Sequence, residues 1–312
     1  MTTIQHLQAH KKFIFHQRKR NRAVLPSEAQ RKKLYQAIVT EKELKKIAAW
    51  EEKTEKEGHH LSFVGLRNTW KVGRRHLHAE PDTKILNVCA SDLELRAMTY
   101  LRFVFKDATF KTQVPLLPLK KTIDIANELC VIHPRDWQEH AAKTMSTDIV
   151  MEGTDRQTKE RKEIAVFIRY YDGLYKVDEI GEEKPITREW QKIDIAEEYH
   201  TKHLNQQFEI LTDRELSKST EYSINWLREF HPQNYTEEQL IRFITLFLRV
   251  YSKHPVHILE DLLELSAKRL DIPFSECLNL FRYCGTHHYL PLNITKRINL
   301  SSSIEMATDE IA

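Results

Sequence analysis

The chain has 312 residues, 41% hydrophobic and 30% charged, enough to bury a full core in two modest domains. No apolar run approaches the roughly 18 residues of a membrane span, and "MTTIQHLQAHKKFIF" lacks the apolar core and cleavage site of a signal peptide. Four scattered cysteines without a C-x-x-C argue against a disulfide frame or zinc knuckle and fit a reducing cytoplasm. The net charge of +3 is uneven: residues 1–50 hold twelve Lys/Arg against three Glu, or +9, so the remainder sums to −6. A basic head on a mildly acidic body suggests a polyanion partner, the plain alternative being a solvated arm with none.

In chain order, residues 1–24 read as irregular, with the basic cluster "HQRKRNR". Pro26 opens a predicted helix, "SEAQRKKLYQAIV", and Thr40 with Glu43 has capping-box spacing before a second helix that stops near Gly58. Residues 59–90 alternate weakly and predict short strands. "SDLELRAMTYLRFVF" is a helix, "TFKTQV" a strand, and "PLLPLKKTIDIANEL" a turn and helix. "MSTDIVMEG" and "EIAVFIRYYD", joined by the polar "TDRQTKERK", predict a hairpin over about 145–171. A helix capped by Thr187, the strand "FEILTD" and a helix from Arg214 to Phe230 follow. This order predicts an α/β domain with a mixed central sheet.

The polar stretch 231–239 marks a domain boundary, after which Thr236 and Gln239 form another capping box. Two further helices around the turn "DIP" and the strand-like "HYLPLNI" complete the order of a winged-helix module. The predicted organisation is a basic helical extension at 1–58, an α/β domain at 59–232 and a mostly helical, winged-helix-like domain at 233–312.

The chemistry concentrates at two acids. Glu94 stands three residues after Ser91, the spacing of a capping box. It also shares a helical face with Met98, Leu101 and Phe105, where a buried carboxylate needs a cation to meet it. Asp148 opens the apolar run "IVM"; alone it is a turn residue, but a facing strand can bring further ligands to one hard cation. Glu160 and Lys162 form an acid-x-lysine triplet in what reads as the hairpin loop, where nothing fixes it. His200 and His203 have helical i,i+3 spacing without a third ligand and read as exposed, and His287–His288 read as surface residues before a strand. Neither G-x-x-x-x-G-K-[ST] nor G-x-S-x-G occurs, which sets aside nucleotide-binding and serine-hydrolase readings.

"SDLEL", "VPLLPLKKTIDIANELCVIHP", "MSTDIV", "IAVFIR" and "FEILTDREL" resemble, in order and spacing, the TnsA family, the endonuclease subunits of heteromeric DNA transposases. The likeness spans about 60–230 and continues more loosely to about 300; residues 1–55 match nothing. It implies a restriction-endonuclease-like mixed-sheet domain with helices on both faces and a winged-helix-like domain that engages other transposition proteins. It further implies Mg²⁺- or Mn²⁺-dependent cleavage of the 5′ strands at transposon DNA ends. The implied partners are double-stranded DNA, a TnsB-type transposase and a TnsC-type AAA+ ATPase regulator. The implied place is the cytoplasm, at a prokaryotic nucleoid, with no membrane.

By this resemblance Glu94 and Asp148 hold the metal, joined by the Ile168 main-chain carbonyl. The family's next two positions are altered. Phe167 replaces a polar metal-side residue, and Arg169 replaces a lysine. Arginine keeps the charge but does not readily deprotonate, and its fork prefers phosphate; it could still neutralise transition-state charge. The leading reading is an active endonuclease using Glu94, Asp148 and Arg169; the alternatives are a weak or silent nuclease-fold subunit that recruits partners and a nucleic-acid-binding protein unrelated to transposition.

Overall fold

The computed structural model describes residues 37–65, 74–80, 85–136, 138–156, 158–231 and 234–307. The basic head and the helix expected from Pro26 lie outside these residues through 36. Ala37–Val39, the expected end of that helix, are not helical: Ile38 forms an isolated parallel bridge to Ala141. The chain is α/β and divides into two compact units. Among the described residues, the first takes those up to Met98 and Phe105–Arg214; the second takes Thr99–Val104 and those from Glu215 onward. The division therefore falls before the polar stretch at 231–239.

The first unit opens with α1 (Glu41–Glu57), where Glu43 N donates to the Thr40 hydroxyl and Gly58, at φ 70°, closes the helix. Only half of the expected capping box forms, because the Glu43 carboxylate instead accepts Thr144 N. Ile47 and Trp50 pack α1 onto Phe63, Leu119, Ile123 and Ala142. Strands β1 (His76–Ala79) and β2 (Leu86–Cys89) pair antiparallel. Helix α2 (Asp92–Val104) runs without a loop into β3 (Phe105–Pro115), which is longer than the expected "TFKTQV". Helix α3 (Leu119–Glu128) precedes the hairpin of β4 (Ser146–Asp155) and β5 (Arg161–Arg169), formed as expected.

A small antiparallel pair follows, β6 (Tyr175–Val177) with β7 (Glu183–Pro185), then α4 (Thr187–Glu198) and a π-helical turn, Tyr199–His203. Thr187 is not the cap: it is the first helical residue, and Ile186 before it offers no capping side chain. Strand β8 (Gln207–Thr212) completes a four-stranded sheet in the order β3-β4-β5-β8, with β8 parallel to β5 and the other pairs antiparallel. Ile164 through Ile168 of β5 are all buried, so both sheet faces are covered there and the strand reads as an unbroken apolar run.

The second unit holds α5 (Lys218–Leu227), α6 (Glu237–Lys253), α7 (Leu259–Leu270) and α8 (Phe274–Thr286). Ser217 caps α5, which begins later than the expected Arg214. The Thr236–Gln239 box on α6 is reciprocal, as its spacing predicts. Phe243, Phe247, Leu262, Leu263 and Phe281 form the buried interior. "HYLPLNI" is not a strand; Leu292 makes only an isolated bridge to Met306. His287 and His288 are half-buried rather than surface residues: His287 lies 4.2 Å from the Tyr283 ring and His288 Nε2 donates to Phe103 O. Among the described residues no helix is long and apolar enough to cross a membrane.

Candidate active site

Glu94 is both a cap of α2 and a buried carboxylate. Its N–H donates to the Ser91 hydroxyl, and that hydroxyl donates to Glu94 Oε1 at 3.3 Å. Glu94 Oε2 reaches back to Ala90 N at 2.7 Å, one residue ahead of the usual box partner. The residue is also only 1% exposed, so the cap lies inside the unit. Its further donor is Gln113, whose Nε2 lies 3.2 Å from Oε2.

Gln113 was not legible as a site residue. It lies on β3 between the pairs Thr112↔Ile149 and Val114↔Thr147, opposite Asp148. Its backbone is left-handed, φ 50°, uncommon for a residue with a side chain and unusual within a strand. Both ends of its amide are used, since the Ser146 hydroxyl donates to Oε1 at 3.1 Å.

The hairpin register builds the second half of the site. Ile149 pairs with Val166, so Asp148 stands opposite Phe167, and side-chain alternation puts Phe167 and Arg169 on one face of β5. Asp148, 3% exposed, accepts from Ile168 N at 2.9 Å and from Arg169 Nη1 at 2.6 Å, both on Oδ2. The same Arg169 nitrogen donates to Ile168 O at 2.6 Å. On its other sides the guanidinium lies 5.1 Å from the Phe167 ring and 3.9 Å from Glu189 Oε2. Burial works against the Arg169 charge, but the carboxylates of Asp148, Glu189 and Glu94 outweigh it and raise the pKa, so the group stays protonated. Phe167 itself is fully buried against Phe208, with ring centroids 5.5 Å apart.

Glu189 and Lys192, on α4, also went unread. They form an i,i+3 pair at 2.5 Å, and the only sequence signal was their spacing in "TREWQK".

Other candidates separate from this cluster. Lys162 is not in the hairpin loop but in β5, opposite Gly153, at the end of the hairpin away from Asp148. Asp155 holds it at 2.9 Å, and that hydrogen bond is the main cause of its raised pKa. His200 is not exposed but buried: its Nδ1 donates to Gln206 Oε1, and its Nε2 lies 2.7 Å from the Thr147 hydroxyl. Burial pushes its pKa down to about 4, so the ring is neutral. His203 is exposed.

A hard divalent cation needs oxygen atoms turned toward one point. Among the described residues no group of three or more His, Cys, Asp or Glu is arranged for this. Two carboxylates and a carbonyl could suffice, but Asp148 Oδ2 and Ile168 O converge on Arg169 Nη1, and Phe167 offers no ligand. As arranged, these residues do not fit a divalent metal. Chemically, the cluster is a buried carboxylate network neutralised by a guanidinium. No protein-family model matches the chain, and no curated protein matches it.

Proposed function

We propose that this chain is a TnsA-like subunit of a heteromeric DNA transposase whose nuclease fold organises DNA and partners without holding a metal. The order around the four-stranded sheet supports a restriction-endonuclease-like fold: helix α2, strand β3, helix α3, the β4–β5 hairpin antiparallel to β3, the small β6–β7 pair, helix α4, then β8 parallel to β5. The resembling motifs lie on elements of the first unit: "SDLE" at the start of α2, "STDIV" at the head of β4, "VFIR" at the end of β5 and "FEILT" in β8. The second unit keeps the helix, tight turn and helix of the winged-helix order in α7 and α8 without its strand, and this part supports a role in engaging a TnsB-type transposase and a TnsC-type ATPase.

One observation favours the silent reading over the cutting one: a single Arg169 nitrogen lies 2.6 Å from both oxygens that the metal would need on this hairpin. The endonuclease reading retains the support of two buried acids, Glu94 and Asp148, acting on that same guanidinium. Strand-specific cleavage of transposon-end DNA, with the partner transposase and Mg²⁺ or Mn²⁺, separates the two. We expect the partner's 3′ cuts with no 5′ cuts that depend on Asp148. Five-prime cuts that vanish in Asp148→Ala would establish the endonuclease reading instead.

A further inference from the structure

We infer that helix α6 carries a second, outward apolar seam, and that two copies of this chain pair antiparallel along it. This association needs neither DNA nor a transposition partner.

Two apolar stripes run along α6, set about 100° apart. The inner one, Phe243, Phe247 and Val250, is fully buried, and the Phe247 ring lies 5.2 Å from that of Phe281 on α8. The outer one is not buried: Ile241 is 57% exposed, and Ile244, Leu248 and Tyr251 are half-buried. Together the stripes span more than the roughly 100° arc that one core face needs. Exposed Arg242, Thr245, Arg249 and Ser252 make up the polar side.

The outer residues are spaced by three, four and three, as the a and d positions of a packed helix pair are. This spacing reads the same in both directions, so an antiparallel copy sets Ile241 against Tyr251 and Ile244 against Leu248. Charge selects the same direction. Glu237 and Glu238 lie in the first turn and Lys253 in the last. Antiparallel copies place these unlike charges, and opposed helix dipoles, side by side; parallel copies would set like against like. A seam complementary to itself under a two-fold axis fits a second copy of this chain better than an unrelated helix.

The interface is small, so Kd should be on the order of 10 µM. Sedimentation equilibrium of the full chain, from about 1 to about 100 µM, should show the mass rising from 37.0 kDa toward twice that value. Ile241→Glu, at an exposed position, should keep the wild-type Tm and weaken association about 30-fold. Thr245→Arg, exposed and beside the two-fold axis, should also weaken it and gives a second reading if Ile241→Glu disturbs the fold. Arg242→Glu, on the polar side, should leave it unchanged.

Cross-linking reads the direction. In a Cys130→Ser background, where Cys89, Cys277 and Cys284 are buried, cysteines are placed at Thr245 or Ser252. A bismaleimide of about 8 Å, near the spacing of packed helix axes, should join two Thr245→Cys chains. It should not join two Ser252→Cys chains, which lie about 18 Å apart along an antiparallel pair. A chain that stays monomeric to about 100 µM would overturn the inference and assign this face to a partner's helix instead. So would a dimer indifferent to both Ile241→Glu and Thr245→Arg, or one that cross-links through Ser252→Cys.

Discussion

Gln113 shows how a site residue escapes a sequence reading. Its strand alternates, and a single amide near a proline carries no ligand pattern; its role comes from a left-handed φ and from Asp148 across the sheet. Gln113→Leu removes a donor to buried Glu94 and the acceptor for Ser146, so we expect a loss of about 2 kcal/mol in urea unfolding. A change within about 0.5 kcal/mol, the range of indifferent surface substitutions, would contradict that role. His200 was misread as exposed for a related reason. Helical spacing alone does not distinguish a ligand from a buried ring, and here a π turn directs it inward to Thr147 and Gln206.

The buried histidines also set a pH dependence. His133, through burial, and His200 both have pKa values pushed down to about 4, below the ordinary 6.5. Between these values the unfolded chain binds protons that the folded chain refuses. Their stabilisation is therefore complete above about pH 6.5 and falls as the pH drops toward 4, by on the order of 3 kcal/mol each. His200→Gln, which can keep both hydrogen bonds, should lose less stability than wild type between pH 7.5 and 4.5. Equal losses in the two would count against a neutral buried His200.

Among elements, hairpin and helices were legible where periodicity was strong, and their ends were not. The β4–β5 hairpin follows from two apolar runs and a polar loop, yet Lys162 belongs to the strand because Asp155 secures it there. Strand β3 begins at Phe105 because α2 gives way to it without turn residues, which leaves no boundary to read. Near that junction the β3–β4 register shifts between Lys106 and Thr109, and Gly153 fits against the irregularity. A Cβ there would lie 3.1 Å from Phe105 Cβ, 3.2 Å from Ala108 Cα and 3.3 Å from Lys106 O. Gly153→Val should therefore cost about 1–3 kcal/mol, measured by denaturant midpoint, whereas a neutral result would mean the backbone there yields freely. The capping box of α6 was fully readable, because both partners lie within one turn; Thr236→Ala should cost about 1 kcal/mol.

At the scale of the whole molecule, the α/β class and mixed sheet were readable from element order. The division into units was not, because Thr99–Val104 of α2 belongs with residues far along the chain. The basic head carries much of the charge asymmetry, so deletion of residues 1–24 should weaken DNA binding and flatten its salt dependence. An unchanged salt slope would remove the head from the DNA-binding account. The central claim concerns one position where the sequence substitution and the geometry meet. The departure of Phe167 and Arg169 from the resembled pattern was visible in sequence; that the guanidinium bridges Asp148 and the Ile168 carbonyl was not, because it depends on the hairpin register and the carbonyl of Ile168. The most direct measurement is a crystal structure grown in millimolar MnCl₂, with anomalous data at the manganese edge. We predict no manganese peak at Asp148 and Arg169 Nη1 bonded to both Asp148 Oδ2 and Ile168 O. A manganese ion bound to Asp148, with Arg169 displaced, would contradict the account.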